Sequence, residues 1–307
     1  MDAIRRQESE TSESTIGLIA AGGLSAAALA WSFWPNFKVL VDRWRGDDNY
    51  GHGWFVIPIA LAILWQRREM LAEVVVRSSL WNFIPLVGLL AIRVWLYERN
   101  EQWIESALIP LVVGSFVFAF GGWRLLWWAW PAVIFLFFML SLPPRFNDIL
   151  AGRLQSFATF GSVNLLHALG LAVISEGNVI LVKDQRLEVA EACRGLSMLL
   201  SFATLITAMV ILIRRPLWER VVLLLSIIPI ALICNILRIT VTAIAYAKAG
   251  KPVKEVHDWA GLAMMPLALG FVLVEMKIMS WLVVEVEVQQ PRGLIRASYG
   301  EARGPMP

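Results

Sequence analysis

Apolar runs long enough to cross a bilayer recur along nearly the whole chain and restrict it to a membrane fold. A helix needs about 20 mainly apolar residues to span the hydrocarbon core. Of the 307 residues, 58% are hydrophobic and only 17% are charged, against about 25% charged in soluble domains. The predicted fold class is therefore an all-α polytopic membrane protein with about eight transmembrane helices. The predicted spans are 16–34, 53–65, 80–97, 103–120, 125–142, 195–213, 219–247 and 259–284.

The chain divides into a membrane domain and two tails. Residues 1–15 are polar and are predicted to be a disordered N-terminal tail, 16–284 form the membrane domain, and 285–307 form a C-terminal tail. The first apolar run follows a polar, acidic lead, so it is predicted to be an anchor rather than a signal peptide. The formal net charge is only +3. The lipid bilayer is thus an expected partner and nucleic acid is not.

The pattern changes between the fifth and sixth spans. Pro143-Pro144 ends a span, because proline has no N–H to donate to a continuing helix. Residues 146–174 are predicted to be a less apolar helical stretch that crosses the membrane, re-enters it or lies on it. Residues 179–189 then alternate around a polar turn, which predicts a short extracytoplasmic β-hairpin. This hairpin leads directly to Cys193.

The membrane orientation rests on the tails. The short loops of the two sides carry equal numbers of basic residues, so the loops alone do not orient the chain. Basic residues in the tails place both termini in the cytoplasm, namely Arg5, Arg6, Arg292, Arg296 and Arg303. The loops before the sixth and eighth spans then face outward, across the cytoplasmic membrane.

Three residues that are far apart in the sequence fall at this outer face. Cys193 lies where the hairpin enters the sixth span, Arg238 lies about two turns from the far end of the seventh, and His257 lies in the loop before the eighth. A thiol, a guanidinium and an imidazole provide what acyl transfer requires: a nucleophile, a cation for the oxyanion and a base. The helix that begins at Gly195 and the adjacent Arg194 favour the thiolate.

Each of these residues also has a structural interpretation. A cysteine at a helix start is more often a packing residue, and Cys234, in mid-span, is interpreted in that way. A buried guanidinium costs about 2.5–3.5 kcal/mol on insertion scales unless it snorkels or reaches a polar pocket. Asn235 stands three residues before Arg238 and therefore shares its helix face, which favours the pocket.

The chain contains two histidines besides His257. His52 stands between two glycines at the mouth of the second span, on the same predicted side, and is a candidate supporting residue. His167 is predicted to be structural. An exposed loop histidine is the alternative interpretation of His257, although a carboxylate would fix its tautomer if one lies nearby.

Four motifs resemble, in order, those of the exosortase/archaeosortase family of membrane transpeptidases. The resemblance covers roughly residues 45 to 275. The motifs are Tyr50-Gly51-His52-Gly53, Glu191-Ala192-Cys193-Arg194-Gly195-Leu196, Asn235-Ile236-Leu237-Arg238 and His257-Asp258-Trp259-Ala260-Gly261.

The resemblance implies a Cys/Arg/His active site at the outer face of the cytoplasmic membrane, with no cofactor. Cys193 would be the nucleophile, Arg238 the cation that stabilises substrate or oxyanion, and His257 the general base and acid. Such enzymes cut C-terminal sorting signals made of a Pro-Glu-Pro-like motif, a membrane helix and a basic tail. Their partners are membrane-anchored substrate proteins, and family members accompany exopolysaccharide and cell-envelope assembly.

Two positions depart from the family's pattern. Arg194 and Gly51 stand where serine is usual, which concerns the substrate motif rather than the reaction. A cation beside the thiol suits an acidic group near the scissile bond. An unchanged substrate preference in Arg194→Ser would count against that hypothesis.

Two other functions stay open on the sequence. Gly195-Leu196-Ser197 with His257 resembles a rhomboid-like intramembrane serine protease, although Ser197 lies one turn further into the helix. Arg93, Arg238 and Lys277 would line an anion path in a transporter or polysaccharide-export subunit, although the chain shows no internal repeat. No metal or nucleotide motif is present in the sequence.

Overall fold

The computed structural model describes residues 20–47, 49–72, 79–99, 101–182, 185–188, 195–213, 215–249 and 253–282. Within these, the side chains of 185, 188, 195, 249 and 253–258 are not described. Cys193 and Arg194 lie outside the described residues, as do both predicted tails.

The described chain is mainly helical, with one small sheet. The first half contains α1 (20–32), α2 (Trp34–Gly46), α3 (Gly53–Gln66), α4 (Arg68–Ala72), a 3₁₀ turn (Leu80–Phe83), α5 (Ile84–Glu98), α6 (Gln102–Phe135) and a second 3₁₀ turn (Leu136–Met139). The second half contains α7 (Pro144–Ala168), β1 (Val173–Glu176), β2 (Val179–Val182), β3 (Gln185–Glu188), α8 (Gly195–Leu212), α9 (Leu217–Ala249) and α10 (Val253–Leu282).

Four helical segments in the described part of the chain are long and apolar enough to cross a membrane. They are Leu80–Glu98, Gln102–Met139, Leu217–Lys248 and Trp259–Leu282, and Gly53–Gln66 and Leu196–Leu212 are shorter apolar helices. The protein is therefore a multi-pass membrane protein. The total of eight spans stays a prediction.

The long helix α6 consists of two antiparallel halves. Gly122 has φ 66° and ψ −164°, which is not helical. A Cβ on Gly114, in the first half, would lie 3.1 Å from Val133 Cγ1 in the second, and the Trp103 indole donates to Ser141 O at 2.8 Å. Both contacts require the chain to fold back at Gly122. The two halves correspond to the predicted segments 103–120 and 125–142.

Gly122→Ala is expected to destabilise the protein by about 1–3 kcal/mol, because the backbone at Gly122 lies in a region that is essentially restricted to glycine. Gly88→Ala is the matched control. Gly88 lies inside α5, and nothing lies within 4 Å of a Cβ built there, so that change is expected to be neutral or slightly stabilising. Thermal unfolding in detergent measures both, and equal effects would contradict the prediction.

Hydrogen bonds between helices define two ends of the molecule. At one end, Gln66 Nε2 donates to Leu212 O (2.6 Å), and Arg67 Nε donates to Trp128 O (2.9 Å). At the other, side chains of α2, α6 and the α2–α3 connection contact residues 138–142. We call these the Leu212 end and the Ser141 end. Helices α3, α5, both halves of α6, and α8–α10 run between them.

Exposed tryptophans lie near both ends, as is typical of the two interfaces of a bilayer. Trp31, Trp34, Trp54 and Trp95 lie towards the Ser141 end, and Trp65, Trp123, Trp127 and Trp281 towards the Leu212 end. This arrangement supports association with a lipid bilayer.

The predicted loop between the first two spans contains a helix instead. Pro35 is in the first turn of α2, and Asn36, Leu40 and Trp44 are buried at a spacing of four residues. Charged residues occupy other faces, so α2 is amphipathic. A prediction based on apolar runs misses this helix, because its residues are polar on average.

The prediction for 146–174 is wrong at its C-terminal end. Helix α7 ends at Ala168 in a Schellman motif: Gly170 has φ +78° and donates to His167 O, and Leu171 donates to Leu166 O. The chain then forms β1. The predicted hairpin is confirmed as β2 and β3, and β1 adds a third antiparallel strand in the order β1-β2-β3.

Helix α9 is the centre of the C-terminal half. It packs against α7, α8, α10 and β2. Gly161 of α7 lies against Ile236 of α9, where a Cβ would be 2.5 Å from Ile236 Cδ1. This close approach fixes α7 against the part of α9 that carries Asn235 and Arg238.

Candidate functional site

Arg238 is buried in the bundle, with 7% of its surface exposed. Its guanidinium lies against α10 at Gly261, where a Cβ would be 2.9 Å from Nη2 and 3.3 Å from Cζ. Thr242 Oγ1 donates to the Arg238 carbonyl at 2.9 Å. A side chain at position 261 would take the space that the guanidinium occupies. The glycine at this position therefore allows Arg238 to lie against α10.

Asn235 is also buried, with 2% of its surface exposed. It is one turn before Arg238 on α9, and the adjacent Cys234 is fully buried. The interpretation of Cys234 as a packing residue agrees with this burial. The structure therefore places the amide and the guanidinium together in the interior, on neighbouring turns of one helix.

The start of α8 is level with this region. Helix α8 has 18 residues and is joined to α9 by a short connection, so the two helices run antiparallel. Gly195 is about 25 Å from the connection at 1.5 Å per residue, and residue 234 of α9 is equally far from it. Cys193 precedes Gly195 by two residues in the sequence.

His257 belongs to a helix rather than to a loop. The prediction began the last span at 259, but α10 begins at Val253. The side chain of His257 lies outside the described part. Its position is one helical turn before Gly261, the residue that contacts Arg238. The start of α8, Arg238 and the helical position of His257 therefore all lie at the Ser141 end, and Cys193 lies outside the described residues.

His52 contacts the second 3₁₀ turn, between α6 and α7. Its Nε2 lies 3.1 Å from the Phe138 carbonyl oxygen. A carbonyl only accepts hydrogen bonds, so Nε2 carries the proton. His52 is 8% exposed, and this contact gives it a supporting role in the packing at the Ser141 end.

Three further aromatic side chains hold the same segment. The Trp44 indole donates to Met139 O (3.0 Å), the Trp103 indole donates to Ser141 O, and Tyr50 accepts from the Leu142 N–H (3.1 Å). Residues 143 and 144 are prolines, so the carbonyls of 139 and 140 lose the donors that a continuing helix would provide. We call Trp44, Tyr50, His52 and Trp103 the aromatic clamp.

The clamp explains part of the Tyr50-Gly51-His52-Gly53 motif. A Cβ on Gly53 would lie 2.2 Å from Trp44 Nε1, so glycine is needed for the indole to reach Met139. Tyr50 also donates to Asn147 Oδ1 (3.0 Å) in the first turn of α7. Sequence reasoning missed Trp44 and Trp103, and it named Tyr50 only as part of this motif. The missing donors at Pro143-Pro144 were the available signal.

Burial lowers the pKa of His52 below its ordinary value of 6.5. The folded protein then binds fewer protons at this site than the unfolded chain below pH 6.5. Stability should therefore fall as the pH drops from 6.5, by up to about 1.4 kcal/mol per pH unit for one proton. Unfolding in detergent between pH 6.5 and 5 measures this slope.

His52→Gln is the matched variant for this prediction. Its side-chain amide keeps an N–H donor for Phe138 O but does not titrate. The stability of this variant should be close to that of wild type at pH 7.5. Between pH 6.5 and 5 its stability should fall less steeply than that of wild type. Equal slopes in the two proteins would show that His52 does not control this pH dependence.

Arg93, which the sequence analysis placed in a possible anion path, is paired with an acidic residue. Its Nε donates to Glu105 Oε1 at 2.9 Å, it donates to Ser32, and its Cζ is 3.9 Å from the centroid of the Phe33 ring. Lys277 stands over the Trp281 ring instead. Arg93 therefore connects α1, α5 and α6, which weakens its interpretation as part of an anion path.

The comparisons with known proteins give one match. The model of the family described as transmembrane exosortase (exosortase EpsH) matches residues 44–274, which is more than half of the chain. This range includes the aromatic clamp, Cys193, Arg238 and His257. No curated protein and no solved structure matches the chain.

Proposed function

Because the chain belongs to the transmembrane exosortase family, we propose that it is a membrane cysteine transpeptidase acting on C-terminal sorting signals. The proposed substrates are membrane-anchored proteins with a short motif, a transmembrane helix and a basic tail. The enzyme would lie in the cytoplasmic membrane with its active site facing outward, and would transfer or release the cleaved protein. It would need no cofactor.

One observation supports this proposal most directly. The Arg238 guanidinium is buried against Gly261, one helical turn from the position of His257. Burying a guanidinium is costly, so an interior arginine in a membrane protein usually serves a site. A guanidinium has donors in a fixed fork that suits a carboxylate or an oxyanion.

The proposed reaction is acyl transfer through a thioester. His257 takes the proton from the Cys193 thiol, and the thiolate attacks the carbonyl carbon of the scissile peptide bond. Arg238, with Asn235 as support, stabilises the negative charge that develops on the carbonyl oxygen. The C–N bond then breaks, and His257 returns the proton to the leaving amine. Water or an acceptor amine attacks the thioester and frees Cys193.

Co-expression with a candidate tail-anchored substrate tests the function. Mass analysis of the mature C-terminus should show a cleaved protein with wild type and an intact protein with Cys193→Ala. Ser197→Ala and Cys234→Ala are the controls and should process the substrate. Loss of processing in Ser197→Ala, with Cys193→Ala active, would favour a serine protease. An intact substrate with every form of the protein would contradict the proposed function.

A further inference from the structure

The sheet has an edge strand that leads towards Cys193. In the order β1-β2-β3, strand β3 pairs with β2 on one side only among the described strands. It ends at Glu188, five residues before Cys193. An edge strand presents backbone N–H and C=O groups to which another extended chain can pair.

The sheet is fixed beside the proposed site. Ile180, Val182 and Leu187 are buried in one apolar cluster with Ile239 and Ala243 of α9. Ile239 directly follows Arg238 in the chain. The sheet therefore rests on the turns of α9 that come immediately after the guanidinium, and β3 is held in the same neighbourhood.

Helices pack against the other two strands. Strands β1 and β2 pack against α7, and β2 also packs against α9. Of the two edge strands, β1 and β3, it is β3 that is followed in the sequence by Cys193, so its edge is the better placed to lead another chain to the thiol.

We propose that an extended segment of the protein substrate pairs with the edge of β3 as a fourth strand, so that the scissile bond is led to Cys193. This inference rests on the proposed function. Strand addition derives its affinity from main-chain hydrogen bonds and its selectivity from alternate side chains. Arg186 is exposed on β3 whereas Leu187 is buried, so Arg186 favours an acidic substrate residue at the cross-strand position.

Disulfide scanning in the full-length protein tests this pairing. Arg186→Cys is placed in a Cys193→Ala background, where Cys234 stays buried, and single cysteines are placed along the substrate. Strand pairing should give the strongest cross-link at one substrate position, weaker cross-links at its second neighbours and none at the positions between them, because alternate side chains of a strand face the same side. Uniform cross-linking, or none, would overturn the proposal.

Ile174→Cys, in the same background, is the matched control. Ile174 lies on β1, at the opposite edge of the sheet, and is 67% exposed. It should give no alternating pattern, and a stronger pattern from position 174 than from 186 would also overturn the proposal. Wild-type processing of each substrate variant is measured in parallel. If wild type processes the substrate and the cross-links do not alternate, strand addition is wrong while the proposed function stands.

Discussion

Arg238→Lys is expected to reduce substrate processing by about 10²- to 10³-fold, the usual effect of removing one donor to an oxyanion. Lysine keeps the positive charge but loses the planar fork, so it cannot present two parallel N–H donors in a fixed geometry. The protein should still fold, since an interior cation is retained at the same position. Single-turnover cleavage of the co-expressed or purified substrate measures the rate. Near wild-type processing would show that the guanidinium geometry is not used.

Gly261→Ala tests the same geometry without changing a charged group. Its methyl group would lie 2.9 Å from Arg238 Nη2, so the guanidinium must move. The moving atoms are the end of a flexible side chain, so the cost in stability should be small. A misplacement of about 1 Å in a catalytic group can cost roughly 10²-fold in rate. We therefore expect a large loss of activity with little change in unfolding temperature.

Gly270→Ala is the control for Gly261→Ala. Gly270 lies in the same helix, and nothing lies within 4 Å of a Cβ built there. It should therefore leave processing unchanged. If the two alanine variants behave alike, the contact between Gly261 and Arg238 does not position the guanidinium for the reaction.

Apolar runs in the sequence predicted the bounds of apolar helices well, but they did not reveal polar helices. The predicted spans 195–213 and 219–247 agree with α8 and α9 to within two residues at each end, because a long apolar run has only one stable form in a membrane. The amphipathic helix α2 was missed because its buried residues are separated by charged ones. The strand β1 was missed because the helix stop at Gly170 was not recognised.

Local sequence patterns did not predict the contacts between distant parts of the chain. Trp44, Tyr50 and His52 of the aromatic clamp contact residues 86 to 95 positions further along the chain, and no periodicity predicts which side chain meets which backbone group. Pro143-Pro144 indicates only that donors are missing there. In the same way, the sequence shows Gly261 only as part of a motif, and its contact with Arg238 is visible only in the structure.

Several parts of the candidate site are still predictions from the sequence. Cys193 was chosen because it precedes an apolar helix and matches a motif, and the structure describes α8 only from Gly195. For His257, the structure adds a helical position but no side-chain contact. The structure shows that Asn235 and Arg238 are buried and that the guanidinium lies against Gly261, and the catalytic roles of these groups are proposals.

Glu105→Ala is expected to destabilise the protein by about 3–5 kcal/mol, because it leaves Arg93 as an uncompensated buried charge. The Glu105 and Arg93 side chains are only 5% and 14% exposed, and their atoms are 2.9 Å apart. The pair connects α5 to α6, and Arg93 also holds Ser32 at the end of α1. Chemical or thermal unfolding in detergent micelles measures the loss. Glu98→Ala is the control: Glu98 lies on α5, the helix of Arg93, and is exposed, so its loss should cost at most about 0.5 kcal/mol.

The double variant Arg93→Met/Glu105→Leu separates the value of the ion pair from the cost of breaking it. Two apolar side chains of similar volume remove both charges, and such replacements are often neutral or stabilising by about 1–4 kcal/mol. We therefore expect the double variant to be far more stable than Glu105→Ala and close to wild type. If it is as unstable as Glu105→Ala, the interaction with Ser32 and Phe33 rather than charge pairing stabilises this region. In that case Arg93 acts mainly as a hydrogen-bonding connection between α1 and α5, and Glu105 is secondary to it.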